Sequence, residues 1–316
     1  MVITPYLKKR FCKEFNIPVA IYDEPYFMER LEIVSRIKRD ALIHWQAFVS
    51  DLNTMFKDEQ EYLEYYNKVK EDAITALKNN SYFVRFNTTD LPVINEKFPK
   101  QELYSPVNNG YFFISVDMRQ ANFNALKEYA PEMFDCKETW GDWFVEFSGV
   151  NHLLASKYIR QVIMGACNPG RQVQYEKYLM VQLYKELCYK ANLENRVKLF
   201  SLTNDEIVLQ VVDDFGYPSS DYLRVKEVFE SVAPVIEEHN YMYRIECFRL
   251  EDIGEKKGYI RRYFNNNFTG FSDNIELKCV SSEDYHLVVK DIFGIPKTDN
   301  DLVFVYNNRL ARYFNW

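Results

Sequence analysis

Histidine and cysteine are scarce in this chain: four and six among 316 residues. No C-x-x-C pair occurs, and His44, His152, His239 and His286 lie far in sequence from Cys12, Cys136, Cys167, Cys188, Cys247 and Cys279. A structural zinc site needs such clusters, so none is expected. Several cysteines stand in apolar surroundings and read as buried thiols, which suits a reducing compartment. Long hydrophobic runs are missing too. Nothing approaches the roughly 18 apolar residues of a membrane span, and the opening MVITPYLKKRF has no apolar signal-peptide core. A cytoplasmic protein with no membrane partner is therefore expected. Excess positive charge is also absent: 39 Lys and Arg stand against 46 Asp and Glu, a net charge of −7. That excludes a protein that coats nucleic acid through a broad basic surface, but leaves room for a local basic groove.

What is present is ample core material. Hydrophobic residues make up 47% of the chain and charged residues 27%, the balance of a folded protein with one large domain or two intimate ones. The 24 Tyr and 24 Phe, with abundant Asn, have the flavour of an AT-rich genome, a virus or phage (whose host cytoplasm would then be the compartment), and also supply surfaces on which bases stack.

The first hundred residues read as helical. Asp23 with Pro25 can start a helix, and Phe27, Leu31, Val34, Ile37, Leu42 and Trp45 follow at helical spacing. Tyr62, Tyr66, Val69, Ala73 and Leu77 predict a second helix that Asn79-Asn80 stops. SYFVRFN (residues 81–87) alternates like a strand, and a loop with Pro92, Pro99 and Pro106 closes the region. NNGYFFISVD (108–117) is the near-continuous apolar run of a central strand covered on both faces. Helices are expected over RQANFNALKEY, from His152 to Met164 and from Arg171 to Ala191, with GACNPG as the break before the last. VKLFSLT and EIVLQVV flank Asn204-Asp205 as a hairpin. Ser219 or Ser220 can cap a helix to about Glu238; strands at 243–250, 259–264 and 275–280, a helix near 282–290 and a hairpin at Asn307-Asn308 complete the chain. The class is α+β.

The chemistry sits where Asp117 ends its strand and Asp205-Glu206 tip the hairpin. Adjacent carboxylates repel unless cations neutralise them. Mg²⁺ takes hard oxygen donors and needs only one or two protein carboxylates, because substrate phosphates complete its shell. A pair of such ions about 4 Å apart can activate a 3′-hydroxyl and stabilise leaving pyrophosphate.

These residues resemble the palm of template-dependent nucleic-acid polymerases, over about a third of the chain. VDMRQANFNAL (116–126) is similar to the first palm motif of family A DNA polymerases: Asp117, then Gln120 three residues on and Leu126 nine residues on. TNDEIVLQV (203–211) is similar to that family's His-Asp-Glu hairpin, with Asn204 in place of His. SKYIRQVIMGACNPGRQVQYEKYLM (156–180) occupies the place of the motif between them. There are departures: the middle segment lies only about 40 residues from the hairpin, and Gly165 stands where the middle-motif Lys would be. The compact spacing is closer to reverse transcriptases and RNA-dependent RNA polymerases, yet their Tyr-x-Asp-Asp or Gly-Asp-Asp hairpin is absent.

The resemblance implies an antiparallel palm-like sheet with packed helices, spanning 106–215 with fingers-like helices at 138–192. A helical N-terminal part (1–105) and an α/β thumb-like C-terminal part (216–316) would flank it. By the same resemblance Asp117 and Asp205 hold Mg²⁺ or Mn²⁺, Glu206 assists, and Gln120, Asn122, Lys157, Arg160, Asn168 and Arg171 meet the nucleotide. The small amide of Asn122, at a position facing the sugar, points to tolerance of ribonucleotides. The implied reaction is a templated addition of NTP or dNTP to a nucleic-acid 3′-hydroxyl, with the need for a primer left open and either low processivity or a protein partner that supplies grip. Lys256, Lys257, Tyr259, Arg261 and Arg262 interleave basic and aromatic side chains in a way that suits a nucleic-acid strand.

Plainer readings stand beside these. An Asn-Asp turn is ordinary hairpin chemistry, Asp117 could be a helix cap, and Lys157 with Arg160 could be a solvated helix face. Asp213-Asp214 is a rival acidic pair that reads as loop. The basic 256–262 stretch could guard an edge strand. A polymerase-like scaffold without catalysis, or an interaction protein, fits the same residues.

Overall fold

The structure, a computed structural model, describes residues 1–254, 258–265, 268–307, 309–314 and 316. Lys256, Lys257 and Asn308, on which sequence expectations rest, lie outside the described residues. The chain packs as two compact units. One is Met1–Asn80, Phe134–Cys167 and Val280–Trp316; the other is Ser81–Met133 and Asn168–Cys279. Neither boundary expected at 105 or 215 coincides with a junction between them.

The first unit is mainly helical. Helix α1 (Pro5–Phe15) begins with Thr4, whose hydroxyl accepts from Leu7 N, and with proline at a position where the helix does not use an N–H. The single helical run expected from Phe27 to Trp45 is divided into α2 (Tyr26–Ser35) and α3 (Ala41–Met55). Helix α4 (Glu59–Asn79), capped by Asp58, buries Tyr62, Tyr66, Val69, Ala73 and Leu77, the stripe its spacing predicts. Later segments add α7 (Trp140–Phe144), α8 (Asn151–Ala155), α9 (Lys157–Gly165), α12 (Tyr285–Phe293) and the hairpin β7–β8 (Val303–Tyr306 and Arg309–Arg312). The helix expected from His152 to Met164 breaks at Ser156, whose hydroxyl turns to cap α9 at Ile159 N (3.1 Å).

This unit buries a polar chain. His152 places Nδ1 2.9 Å from Asp51 Oδ2 and Nε2 3.2 Å from the Tyr62 hydroxyl. Burial holds the imidazole below its ordinary 6.5, against the hydrogen bond and charge of Asp51. With the ring neutral, Nδ1 donates to Asp51 and Nε2 accepts from the Tyr62 hydroxyl. An unfolded histidine gains a proton below about pH 6.5, where the folded one resists it. The stabilisation is thus present above 6.5 and fades as pH falls toward the lower folded value. The urea midpoint is expected to drop between pH 7 and pH 5.5, and to drop less in His152→Gln. Equal slopes in the two proteins would remove this assignment.

The second unit is built on a six-stranded antiparallel sheet of order β2-β3-β1-β4-β5-β6. The strands are β1 (Phe112–Met118), β2 (Val197–Leu202), β3 (Glu206–Val211), β4 (Tyr243–Asp252), β5 (Tyr259–Phe264) and β6 (Phe271–Lys278). Strands β1 and β2 run parallel with β3 between them, the split β-α-β arrangement. Helix α6 (Ala121–Tyr129) and the long α10 (Pro169–Lys190) lie in the first crossover; α11 (Tyr222–Glu237) returns the chain from β3 to β4. Its cap is Asp221, accepting from Leu223 N at 2.9 Å, rather than Ser219 or Ser220. Helix α5 (Ser81–Thr88) stands where alternation in SYFVRFN predicts a strand. It buries Phe83 and Phe86, three residues apart, and exposes Tyr82 and Val84, so burial selects the helical spacing.

Central β1 is covered on both faces, as its apolar run predicts. Phe112, Ile114, Val116 and Met118 pack with Leu209 of β3, Leu183 of α10 and Val228 of α11. Each such fully buried side chain contributes roughly 1.5–3 kcal/mol. Phe113 on the opposite face meets Val208, Phe248, Leu250 and Phe200. Past Phe113 that second face turns polar, through Ser115 to Asp117.

No disulfide forms among the described residues; Cys12, Cys167 and Cys247 are buried, whereas Cys136, Cys188 and Cys279 are exposed. Among the described residues no helix is long and apolar enough to cross a membrane.

Candidate functional site

Strand register decides which acids meet. Asp117 stands directly opposite Glu206 on β3 and Arg244 on β4. Facing residues of an antiparallel pair project to the same side, with Cβ atoms about 4.5–5.5 Å apart. Glu206 is therefore the same-face neighbour of Asp117. Ser115, two residues back, faces Glu246 of β4. Asp205 occupies the lip of the hairpin: its carbonyl accepts from Met118 N at 2.8 Å and its carboxylate accepts from the Thr203 hydroxyl at 3.2 Å. Asn204, beside it, donates from Nδ2 to Glu176 of α10 at 3.0 Å.

One end of the sheet thus gathers Asp117, Glu176, Asp205, Glu206 and Glu246. Two arginines answer them. Arg261, with 6% of its side chain exposed, reaches Glu206 Oε1 at 3.1 Å and lies 4.5 Å over the Phe248 ring. Ser115 Oγ donates to the same Glu206 oxygen at 2.6 Å. Arg244, 46% exposed, spans Asp117 Oδ2 and Glu246 Oε1, each at 3.3 Å.

Negative charge remains in excess, and Asp117 registers it. Burial pushes its carboxyl up to about 6; Arg244 pulls it down, while Glu206, Asp205 and Glu246 push it further up. Burial also raises the Glu176 carboxyl, opposed by the Asn204 hydrogen bond and reinforced by Asp205.

A raised carboxyl means that ionised Asp117 opposes folding. Its contribution is most favourable below the unfolded value of 3.8 and is lost as pH rises through about 6. In EDTA, Asp117→Asn is expected to stabilise the protein by about 1 kcal/mol at pH 8, the scale of relieving a strained functional site, and to change little at pH 4.5. Thermal melts at the two pH values check this; a gain that does not grow with pH contradicts it.

The remaining residues singled out from sequence fall in several places. Gln120, exposed and left-handed (φ 47°), occupies the N-cap position of α6 without a side-chain capping bond. Asn122 is half-buried, and its side-chain oxygen accepts from Phe123 N at 2.9 Å. Asn168 donates to Asn87 Oδ1 at 2.7 Å. Arg171 donates to the carbonyls of Phe86 (2.5 Å) and Thr89, tying down the C-terminal end of α5. Lys157 and Arg160 belong to the helical unit, on α9. Lys157 is exposed; burial lowers Arg160 to about 10, and its Nε has no hydrogen-bond partner among the described residues. Tyr259 packs against Tyr104 at 5.8 Å between ring centroids. Arg261 and Arg262 are ion-paired within the sheet unit, to Glu206 and Glu251.

The structure therefore gathers Asp117, Asp205 and Glu206, and adds Ser115, Glu176, Arg244 and Glu246, which sequence reasoning missed. Alternation in YRIECF could have placed Arg244 and Glu246 on one face of a strand. Nothing in it could say that the face is the one carrying Asp117. Glu176 carried no signal, since one acid in a long helix is usual.

Among the described residues no three His, Cys, Asp or Glu side chains already form a ligand set for a metal ion. The donor chemistry nonetheless fits Mg²⁺ or Mn²⁺: Asp117, Asp205 and Glu206 offer hard carboxylate oxygens at one strand end, and the disfavoured charge of Asp117 is what a cation would relieve. No protein-family model matches the chain, and neither a curated protein nor a solved structure matches it significantly.

Proposed function

We propose that the sheet unit is a palm-like nucleotidyl-transfer domain, acting on NTP or dNTP at the 3′-hydroxyl of a template-bound primer. One observation carries the reading: the strand-ending acid of the first motif, Asp117, is the register neighbour of the hairpin that bears Asp205 and Glu206. The sheet's arrangement supports it, with crossover helices packed on one face and Asp117, Glu206 and Glu246 on the other.

In this reading Asp117 and Asp205 would hold Mg²⁺ or Mn²⁺, which supply neutralisation of the charge that develops in phosphoryl transfer. Glu206 is fixed by Ser115 and Arg261 and so positions the hairpin. Asn122, the second residue of α6, would read the sugar hydroxyl. Gln120 opens the same helix. Arg244, weakly held and half exposed, must yield Asp117 when a cation arrives.

A second reading has its own observation. Arg244 and Arg261 already sit on Asp117 and Glu206, as internal counter-cations would in a palm-like scaffold that binds nucleic acid without catalysis. Labelled-nucleotide incorporation on primed and unprimed templates, with Mg²⁺ or Mn²⁺, separates the two. Calorimetry adds a second measure: Mn²⁺ and nucleotide both bind the enzyme, whereas nucleic acid alone binds the scaffold.

A further inference from the structure

The helical unit holds a cavity of about 730 Å³, lined by α1, the segment after it and the β7–β8 hairpin. That volume suits a small organic ligand. Its polar groups are unevenly distributed. Lys9 and Lys13 stand four residues apart on α1 and share a helix face, and Arg309, the first residue of β8, lines the same cavity. None of the three has a carboxylate partner among the described residues; Lys13 only approaches the Tyr158 ring, at 6.0 Å. The other cations of α1 are matched: Lys8 binds Glu24 at 2.7 Å and Arg10 contacts Glu14 at 3.3 Å. Two carboxylates, Asp23 and Glu283, also line the cavity, and Ile17, Val19 and Ile21 give it an apolar wall.

We propose that this cavity binds a nucleoside phosphate. Three cations without internal partners match the oxygens of a phosphate, for which charge-assisted hydrogen bonds are strong. The apolar wall suits a flat base, and the two carboxylates can accept from ribose hydroxyls. The site uses no residue of the carboxylate cluster on the sheet, so it stands or falls separately from the nucleotidyl-transfer reading.

The test is calorimetry of AMP against the full chain in EDTA and low salt. Wild type and Asp117→Ala are expected to bind AMP alike. Lys9→Glu and Arg309→Glu, both at exposed positions, are each expected to weaken binding about tenfold, the order of effect of losing one charged contact. Circular dichroism verifies that each variant is folded. Adenosine and inorganic phosphate, each carrying half of the recognition, are expected to bind more weakly than AMP. The proposal is overturned if wild type does not bind AMP, if both charge reversals leave binding unchanged, or if adenosine or inorganic phosphate binds as tightly as AMP.

Discussion

Alanine at Asp117 or at Asp205 is expected to lower Mg²⁺- or Mn²⁺-dependent nucleotide incorporation by about 10³-fold, the scale of losing a group aimed at transition-state charge. The two acids act as a unit in the proposed site, so the double variant should be little worse than either single one. Glu206→Gln should cost less activity, because Glu206 is engaged by Ser115 and Arg261 and acts by holding the hairpin. The rival pair supplies the control. Asp213 caps its own turn, accepting from Phe215 N and Tyr217 N at 2.9 Å each, and Asp214 pairs with Arg224 at 2.6 Å. Alanine at either should leave incorporation unchanged. Full activity in Asp205→Ala would remove the hairpin from the mechanism.

The largest loss of stability is expected in the helical unit, from Glu14→Ala. Glu14 is 0% exposed, accepts from the Ser156 hydroxyl, and contacts Arg10 at 3.3 Å. Burial raises its carboxyl, against the Ser156 hydrogen bond and the Arg10 charge. Arg10 itself lies 3.5 Å over the Tyr66 ring. Removing one partner of a buried pair strands the other, at about 3–5 kcal/mol. The loss also severs α1 from the cap of α9, since Ser156 serves both. Replacing both charges, as in Arg10→Met with Glu14→Leu, should recover most of that loss, because no charge is then left unpaired. Urea unfolding of the three proteins measures this. A cost below about 1 kcal/mol for Glu14→Ala would mean that Arg10 finds solvent.

How much of this was legible beforehand follows from range along the chain. The helix stripe from Tyr62 to Leu77, the apolar run of β1 and the hairpin at Asn204-Asp205 are local patterns, and each appears as expected. SYFVRFN misleads because seven residues support two periods, and only packing against the rest of the unit chooses between them. The unit boundaries were hidden for a related reason. Residues 134–167 and 280–316 pack with the first 80 residues, and no composition change marks such returns.

The site divides in the same way. Sequence alone determined that Asp117 would end a buried strand and that Asp205 and Glu206 would tip a hairpin, because alternation and turn chemistry act over a few residues. Tertiary structure alone decided that Glu206 faces Asp117, that Arg244 and Glu246 share that face, and that Glu176 reaches the hairpin through Asn204. It also decided that Arg261 and Arg262 are bound inside the unit. The physical reason is register: a shift of one residue between paired strands sends every side chain to the opposite face. That register is fixed by burying both faces of β1 at once, a condition on the whole sheet that no single stretch of sequence carries.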